Sequence, residues 1–252
     1  PTSSYIETHA CDGSSATCKT SKTTCDPYGC GAGLTCKTSC MANSDCSSKV
    51  CEFWNKGNGP HDCVTATNVC YADAAAAAGG TGSLAAPFTS PSSCPSSMKI
   101  IALADGTYPS TVFTATSELT VTGTGAGATL YNNGVLQVGA NVTLKAAANT
   151  GATLRLVGLS LGGGVEASDA SSLRMIRTRT LNGLGVVRTG NVLLQDVSIE
   201  GGQPGIEHSV GTLTLENVRV NGVASAGIRS KAGTVQGSDL SISNTGGSCA
   251  YI

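Results

Sequence analysis

Aromatic side chains make up only 4% of the 252 residues and charged ones only 12%. So few large rings leave little for a core built on Phe, Tyr and Trp, which usually dominate buried area. The formal net charge is −1, so no long-range field draws nucleic acid or an anionic membrane. No apolar run approaches the roughly 20 residues that span a bilayer. Helical spacing, with apolar residues three and four apart over ten or more positions, is missing as well. So are a phosphate loop, a nucleophile elbow, a His-Glu-x-x-His zinc motif and any Asp-Asp pair. No cofactor is expected.

What the chain does have is a repeat. Val197, Val218 and Leu240 hold one aliphatic position, Ile199, Val220 and Ile242 the next, and Ile206, Ile228 and Ala250 a third, 21 to 22 residues apart. Asp196, Asn217 and Asp239 stand just ahead of the first column, and Gly205 and Gly227 just ahead of the third. A short unit repeated in register cannot bury its apolar face alone and must stack on its neighbours. Within each unit apolar and polar residues alternate, as in Leu215-Glu216-Asn217-Val218-Arg219-Val220, and Gly, Asn and Ser follow. That is the period of short strands joined by bends. The expected fold is all-β, a parallel β-helix, and the 33 glycines and small aliphatics suit it.

Cysteine points to an oxidising compartment. Ten of the twelve fall in the first 70 residues: Cys11, Cys18, Cys25, Cys30, Cys36, Cys40, Cys46, Cys51, Cys63 and Cys70. Such density with few large apolar residues marks a secreted module held by disulfides, each worth roughly 2–5 kcal/mol. The even count allows five bridges, with connectivity left open. Zinc is the rival, but its modules favour Cys-x-x-Cys knuckles, and no metal site is expected. The module echoes itself, Cys25-x4-Cys30-x5-Cys36 and then Cys40-x5-Cys46-x4-Cys51.

The expected organisation is a disulfide-stapled module over 1–70, a transition over 71–98 and a parallel β-helix over 99–252 that continues beyond Ile252 if the natural chain is longer. The start at Pro1, without Met, suggests a trimmed or processed end. About 154 residues at ~22 per coil predict about seven coils, a stack ~34 Å long. Tyr28, Phe53, Trp54 and Tyr71 are expected to form a miniature core near the cysteines.

The segment Tyr71-Ala72-Asp73, a Gly/Ser-rich spacer, Leu84-Ala85-Ala86-Pro87-Phe88, then Ile101-Ala102-Leu103-Ala104-Asp105-Gly106-Thr107-Tyr108 resembles the start of right-handed parallel β-helix domains of the pectin-lyase-like superfamily. The likeness covers residues 71–252. It implies the fold, but function only weakly, because that superfamily includes polysaccharide lyases, hydrolases, and adhesins without known catalysis. Together with the cysteine-rich leader it resembles secreted bacterial cell-surface proteins.

Glycoside chemistry needs two carboxyls roughly 5–10 Å apart. The acidic residues of the coils are Asp105, Glu118, Glu166, Asp169, Asp196, Glu200, Glu207, Glu216 and Asp239. Asp196 and Asp239 share a column with Asn217 between them, which reads as a polar ladder at a bend. Glu207, His208, Arg229 and Lys231 are expected together on one turn as a solvated ion-paired group. That turn is also the best place for a site. Arg174, Arg177, Arg179 and Arg188 belong to one coil, and Arg177, Ser198, Arg219 and Ser241 are expected in one outward column. Forked guanidinium contacts on such a face suit acidic glycans. The candidate glycan-binding residues are therefore Arg174, Arg177, Arg179, Arg219, Glu207, His208 and Arg229, and no catalytic residue is assigned. Asn141-Val142-Thr143 is a glycosylation sequon.

Cys94 before the first coil and Cys249 in the last are too far apart to pair with each other. They are left unassigned or intermolecular. A β-helix stopping at Cys249-Ala250-Tyr251-Ile252 presents strand edges. Three outcomes fit: the chain continues, an inconspicuous cap closes it, or molecules stack head to tail into a fibre. The expected function is an extracellular or cell-surface structural or adhesive protein without catalytic activity, its partners another copy of itself or a polysaccharide. The competing classes are a polysaccharide lyase or hydrolase and a glycan-binding module.

Overall fold

The computed structural model describes residues 5–10, 19–31, 35–54, 59–104, 107–108, 112–115, 118–124, 136–138, 141–146, 153–161, 164–168, 172–180, 183–187 and 191–251. The chain forms two compact units, Pro1–Val69 and Cys70–Ile252.

In the first unit an antiparallel pair joins Tyr5–Ala10 to Lys19–Thr24, and the rest of the described residues are held by isolated bridges, two short 3-10 turns at Asn43–Asp45 and Ala66–Asn68, and disulfides. Cys25 bonds Cys36, Cys40 bonds Cys51, and Cys46 bonds Cys63. Both halves of the echo thus close on their outer cysteines, each across 11 residues. Buried Val50, Phe53, Trp54 and Val64 pack among the sulfurs, with His61 edge-on to Phe53 at 5.1 Å. Of the expected miniature core, Phe53 and Trp54 sit here, Tyr28 is half-buried, and Tyr71 is buried in the second unit.

Two cysteine assignments change. Cys94 is bridged to Cys70 within the second unit. That leaves nine cysteines in the leader, an odd number, so five bridges among ten cannot form there. Exposed Cys30 places its sulfur 3.8 Å from that of Cys25, whose bond goes to Cys36. Cys11 and Cys18 lie outside the described residues.

The second unit is a parallel β-solenoid. Successive turns lay strands on one another in register: Thr153–Val157 on Glu118–Gly123, Ser172–Ile176 on Thr153–Val157, then Asn191–Glu200, Thr212–Asn221 and Thr234–Ser243. A separate seven-stranded sheet stacks the opposite wall, ending in Leu184–Val187, Ile206–His208, Ile228–Ser230 and Ala250–Tyr251. The sequon falls in its strand Asn141–Ala146. Each expected aliphatic column is found in register, Val197 with Val218 and Leu240, Ile199 with Val220 and Ile242, Ile206 with Ile228 and Ala250. Inside, Leu156, Met175, Leu194 and Leu215 stack fully buried. Burial alternates along these strands, so one face supplies the aliphatic lining and the other turns outward.

About four turns, from Ser172 to Tyr251, can be followed nearly throughout, fewer than the seven expected from length. Dividing length by a constant rung fails because the rung varies. The register step is 19 residues from Thr153 to Ser172 and again to Asn191, 21 to Thr212 and 22 to Thr234. Between Glu118 and Thr153 it is 35. Before Ser172 short strands stand on the same columns, but the turns between them pass through residues outside the described set.

The opening of the solenoid gathers the motif residues. Tyr108, fully buried, donates its hydroxyl to the carbonyls of Ala72 (2.8 Å) and Ala104 (3.1 Å). The strand Val69–Ala72 lies beside Ile100–Leu103 as the first rung of the long sheet. Its other edge is taken: Tyr71 N–H donates to Gly82 O, and Phe88 N–H to Tyr71 O.

Candidate functional site

The long strands turn a corner at a single residue. Arg177, Asp196, Asn217 and Asp239 follow one another down that corner with φ of 51°, 53°, 51° and 54°, and Gly158 holds the place above them at 63°. This left-handed region is strained for most side chains and tolerated best by Gly, Asn and Asp. Asn217 Nδ2 donates to Asp196 Oδ1 at 2.8 Å, so the expected ladder exists and serves the backbone. A carboxylate pair for glycoside chemistry is not what this column provides.

Arg177 therefore stands at the corner, not in the outward column where the sequence placed it. The strand partners are Arg179, Ser198, Arg219 and Ser241. The error came from applying a 21-residue period to a 19-residue turn, which shifts the register by two. Arg179 forks onto Glu200, Nε to Oε1 at 3.0 Å and Nη2 to Oε2 at 2.6 Å. Arg188, Asp105 and Asp169 lie outside the described residues.

The Glu207–His208 turn divides by strand alternation. Glu207 faces outward and pairs with Lys231, 2.6 Å between Oε1 and Nζ. His208 points inward and is fully buried, which corrects the expectation of one solvated group. Its Nδ1 meets Ser230 Oγ at 3.1 Å, and Nε2 has no partner. Burial pushes this imidazole below its ordinary range, against a weaker opposing contribution from the Val210 backbone. A neutral histidine inside an apolar tube, its free nitrogen away from solvent, has no route to a polymeric substrate.

Arg229 lies one rung below Glu207 in the same outward column. It lines a pocket of about 380 Å³ with Ser225, Ala226, Gly247 and Ser248. The bend residues aligned there in successive turns are Gln203-Pro204, Ser225-Ala226 and Gly247-Ser248. Arg174 is exposed on the long strands, directly beside Arg155 of the preceding rung. Arg155 is absent from the candidate residues named above. It bonds Glu118 Oε1 at 3.2 Å, and only the register, unreadable across a 35-residue step, brings those two together.

Among the described residues one group of three metal-ligand atoms converges, the sulfurs of Cys40, Cys46 and Cys51. All three are consumed in disulfides, which bind no metal as thiolates do. Cys249 is an exposed thiol. No described helix is long and apolar enough to cross a membrane, and several disulfides suit an oxidising, extracellular environment.

Comparison with protein-family models, curated proteins and solved structures finds no match to this chain. The likeness to pectin-lyase-like domains therefore rests on the quoted motif residues. What stands plainly is a parallel β-solenoid with a disulfide-rich N-terminal unit.

Proposed function

We propose that this protein is an extracellular or cell-surface structural or adhesive protein, a solenoid scaffold without catalytic activity. One observation supports the reading above others: the polar side chains best suited to chemistry are engaged in holding the solenoid. Glu200 clamps Arg179, Glu207 clamps Lys231, His208 is sealed inside, and Asp196 and Asn217 bond each other across the corner. Disulfides in both units suit a secreted location, and the superfamily likeness is compatible with surface proteins of bacteria.

Assembly by stacking head to tail would need an open sheet edge at each end. The outer edge of Val69–Ala72 is hydrogen-bonded to Gly82 and Phe88, which favours contacts made by the sides of the solenoid over a fibre propagated through its ends. A second reading, glycan binding or turnover, draws on the Arg229 pocket. The two separate on incubation of the full chain, with and without calcium, with a panel of neutral and acidic polysaccharides. The scaffold reading expects no shortening of any chain, and electron micrographs of native material showing the protein in the cell envelope or matrix. Steady release of oligosaccharides that is lost in Arg229→Ala would overturn it.

A further inference from the structure

Arg155 and Arg174 are direct partners on adjacent parallel strands, and strands in such a sheet lie about 4.8 Å apart. Like charges so placed repel and destabilise the pair. Glu118, one rung before Arg155, answers only part of this charge. Lys99 lies at the same place, its carbonyl accepting from Thr120 N–H at 2.8 Å, and its side chain is exposed. The Glu118 carboxyl is held below its ordinary value by Arg155 first, and also by Lys99 and Arg174. Three cations thus converge on one carboxylate and leave two positive charges over.

On this column Arg174 is exposed, whereas Arg155 is largely covered and Thr120 before it is buried. Beyond Arg174 the column runs through Leu193 to Thr214 and Gln236, and the column beside it holds Ser172, Asn191 and Thr212. Ser172 donates to Thr153 Oγ1 at 2.9 Å and Gln236 to Thr214 Oγ1 at 3.2 Å, so the columns already order their own hydrogen bonds. The carboxylate of Glu216 stands on the same face, three rungs from Arg155 and so roughly 14 Å along the axis. The positive end is therefore confined to the first rungs and the polar track runs away from it.

We infer that this face is a docking track for an extended polyanion carrying phosphate or sulfate groups, anchored at Arg155, Arg174 and Lys99 and laid along the hydroxyl and amide columns. Tetrahedral oxyanions present acceptors in several directions and serve two guanidiniums and an ammonium at once. A lone carboxylate has two coplanar oxygens and one charge, matched to a single fork. The inference rests on the scaffold reading and names what the scaffold holds. It concerns a sheet face distinct from the Arg229 pocket.

The test uses the full oxidised chain on three immobilised polymers: polyphosphate, dextran sulfate and a polyuronate. Retention on polyphosphate or dextran sulfate at about 0.1 M salt, weakening steeply as salt rises, is expected. Binding to polyphosphate alone identifies phosphate as the ligand chemistry, binding to dextran sulfate alone identifies sulfate, and binding to both identifies a general oxyanion track. Arg174→Gln should weaken binding about tenfold and Lys99→Gln about threefold. Both side chains are exposed, so the fold should survive, which circular dichroism checks. Lys22→Gln, an exposed cation of the first unit, should leave binding unchanged. Equal retention on the polyuronate, an equal loss in Lys22→Gln, or no retention at low salt would overturn the track. The scaffold reading survives each of those results, and falls instead if the polymers are shortened.

Discussion

The two units solve the same problem with opposite means. The cysteine-rich unit has little regular structure, and its buried set is largely sulfur: Cys25, Cys40, Cys46, Cys51 and Cys63 with a few aliphatic and aromatic neighbours. Its order comes from covalent links that limit the unfolded chain. The solenoid needs none among its rungs, since each turn's backbone pairs with the next and its aliphatic residues stack. A core too small to hold itself is stapled, and a core that can be extended rung by rung is not. Reduction breaks the comparison open. With each bridge worth roughly 2–5 kcal/mol, loss of all three described bridges should unfold the first unit, while rungs from Ser172 onward keep their protection. Hydrogen exchange with and without reductant reads this directly. The Cys70–Cys94 bridge sharpens it: residues 70–94 should loosen locally and the loosening should stop at the first rungs. Equal loss of protection in Thr212–Asn221 would show the solenoid to depend on the staples.

A smaller effect probes the solenoid wall from inside. His208 is neutral and buried, and its folded-state value is held below the ordinary one of about 6.5. The unfolded chain therefore binds a proton that the folded one refuses. Stability contributed this way is present above about pH 6.5 and is lost as pH falls below it toward the folded value. One group cannot contribute more than about 1.4 kcal/mol per pH unit. Between pH 7.5 and 5.5 the denaturation midpoint of the solenoid should fall, and His208→Gln should flatten that slope. An unchanged slope would mean that the imidazole is not shielded in solution. The stapled unit should show no such dependence on this residue.

The legibility of the fold followed the same division. Columns at Val197, Ile199 and Ile206 could be read because side-chain alternation and period both survive in the last turns. The register further back could not. Thr178 and Thr180 fill the inward places held by Val197 and Ile199 one turn later. Their buried hydroxyls go to the carbonyls of Leu156, Ile176 and Gly183. A threonine shaped like valine, with its hydroxyl satisfied by backbone, reads as polar in a sequence and as core in the structure. The 19-residue turns then misplaced Arg177, and the 35-residue step hid the meeting of Glu118 with Arg155. In the stapled unit the count of cysteines was legible but the pairing was not, because connectivity depends on which loops meet. Cys94 lay outside the dense segment, and its bond to Cys70 changed the parity of everything before it.

The smallest effect tests whether the corner ladder is made by side chains or by backbone. Asn217 sits at φ 51° between Asp196 and Asp239, bonded to the first of them. If conformation dominates, Asn217→Gly should be close to neutral, since glycine reaches this region freely and loses only an exposed hydrogen bond. Asn217→Ala keeps no side-chain polarity and must still adopt a left-handed corner, so it should cost about 0.5–1 kcal/mol more than the glycine variant. If the ladder bond dominates, both variants should be destabilised alike, by about 1 kcal/mol. Chemical denaturation of the two variants side by side separates these cases. The first is expected, because Gly158 already serves at the same corner without any side chain, which means the column requires the backbone angle and only accepts the amide.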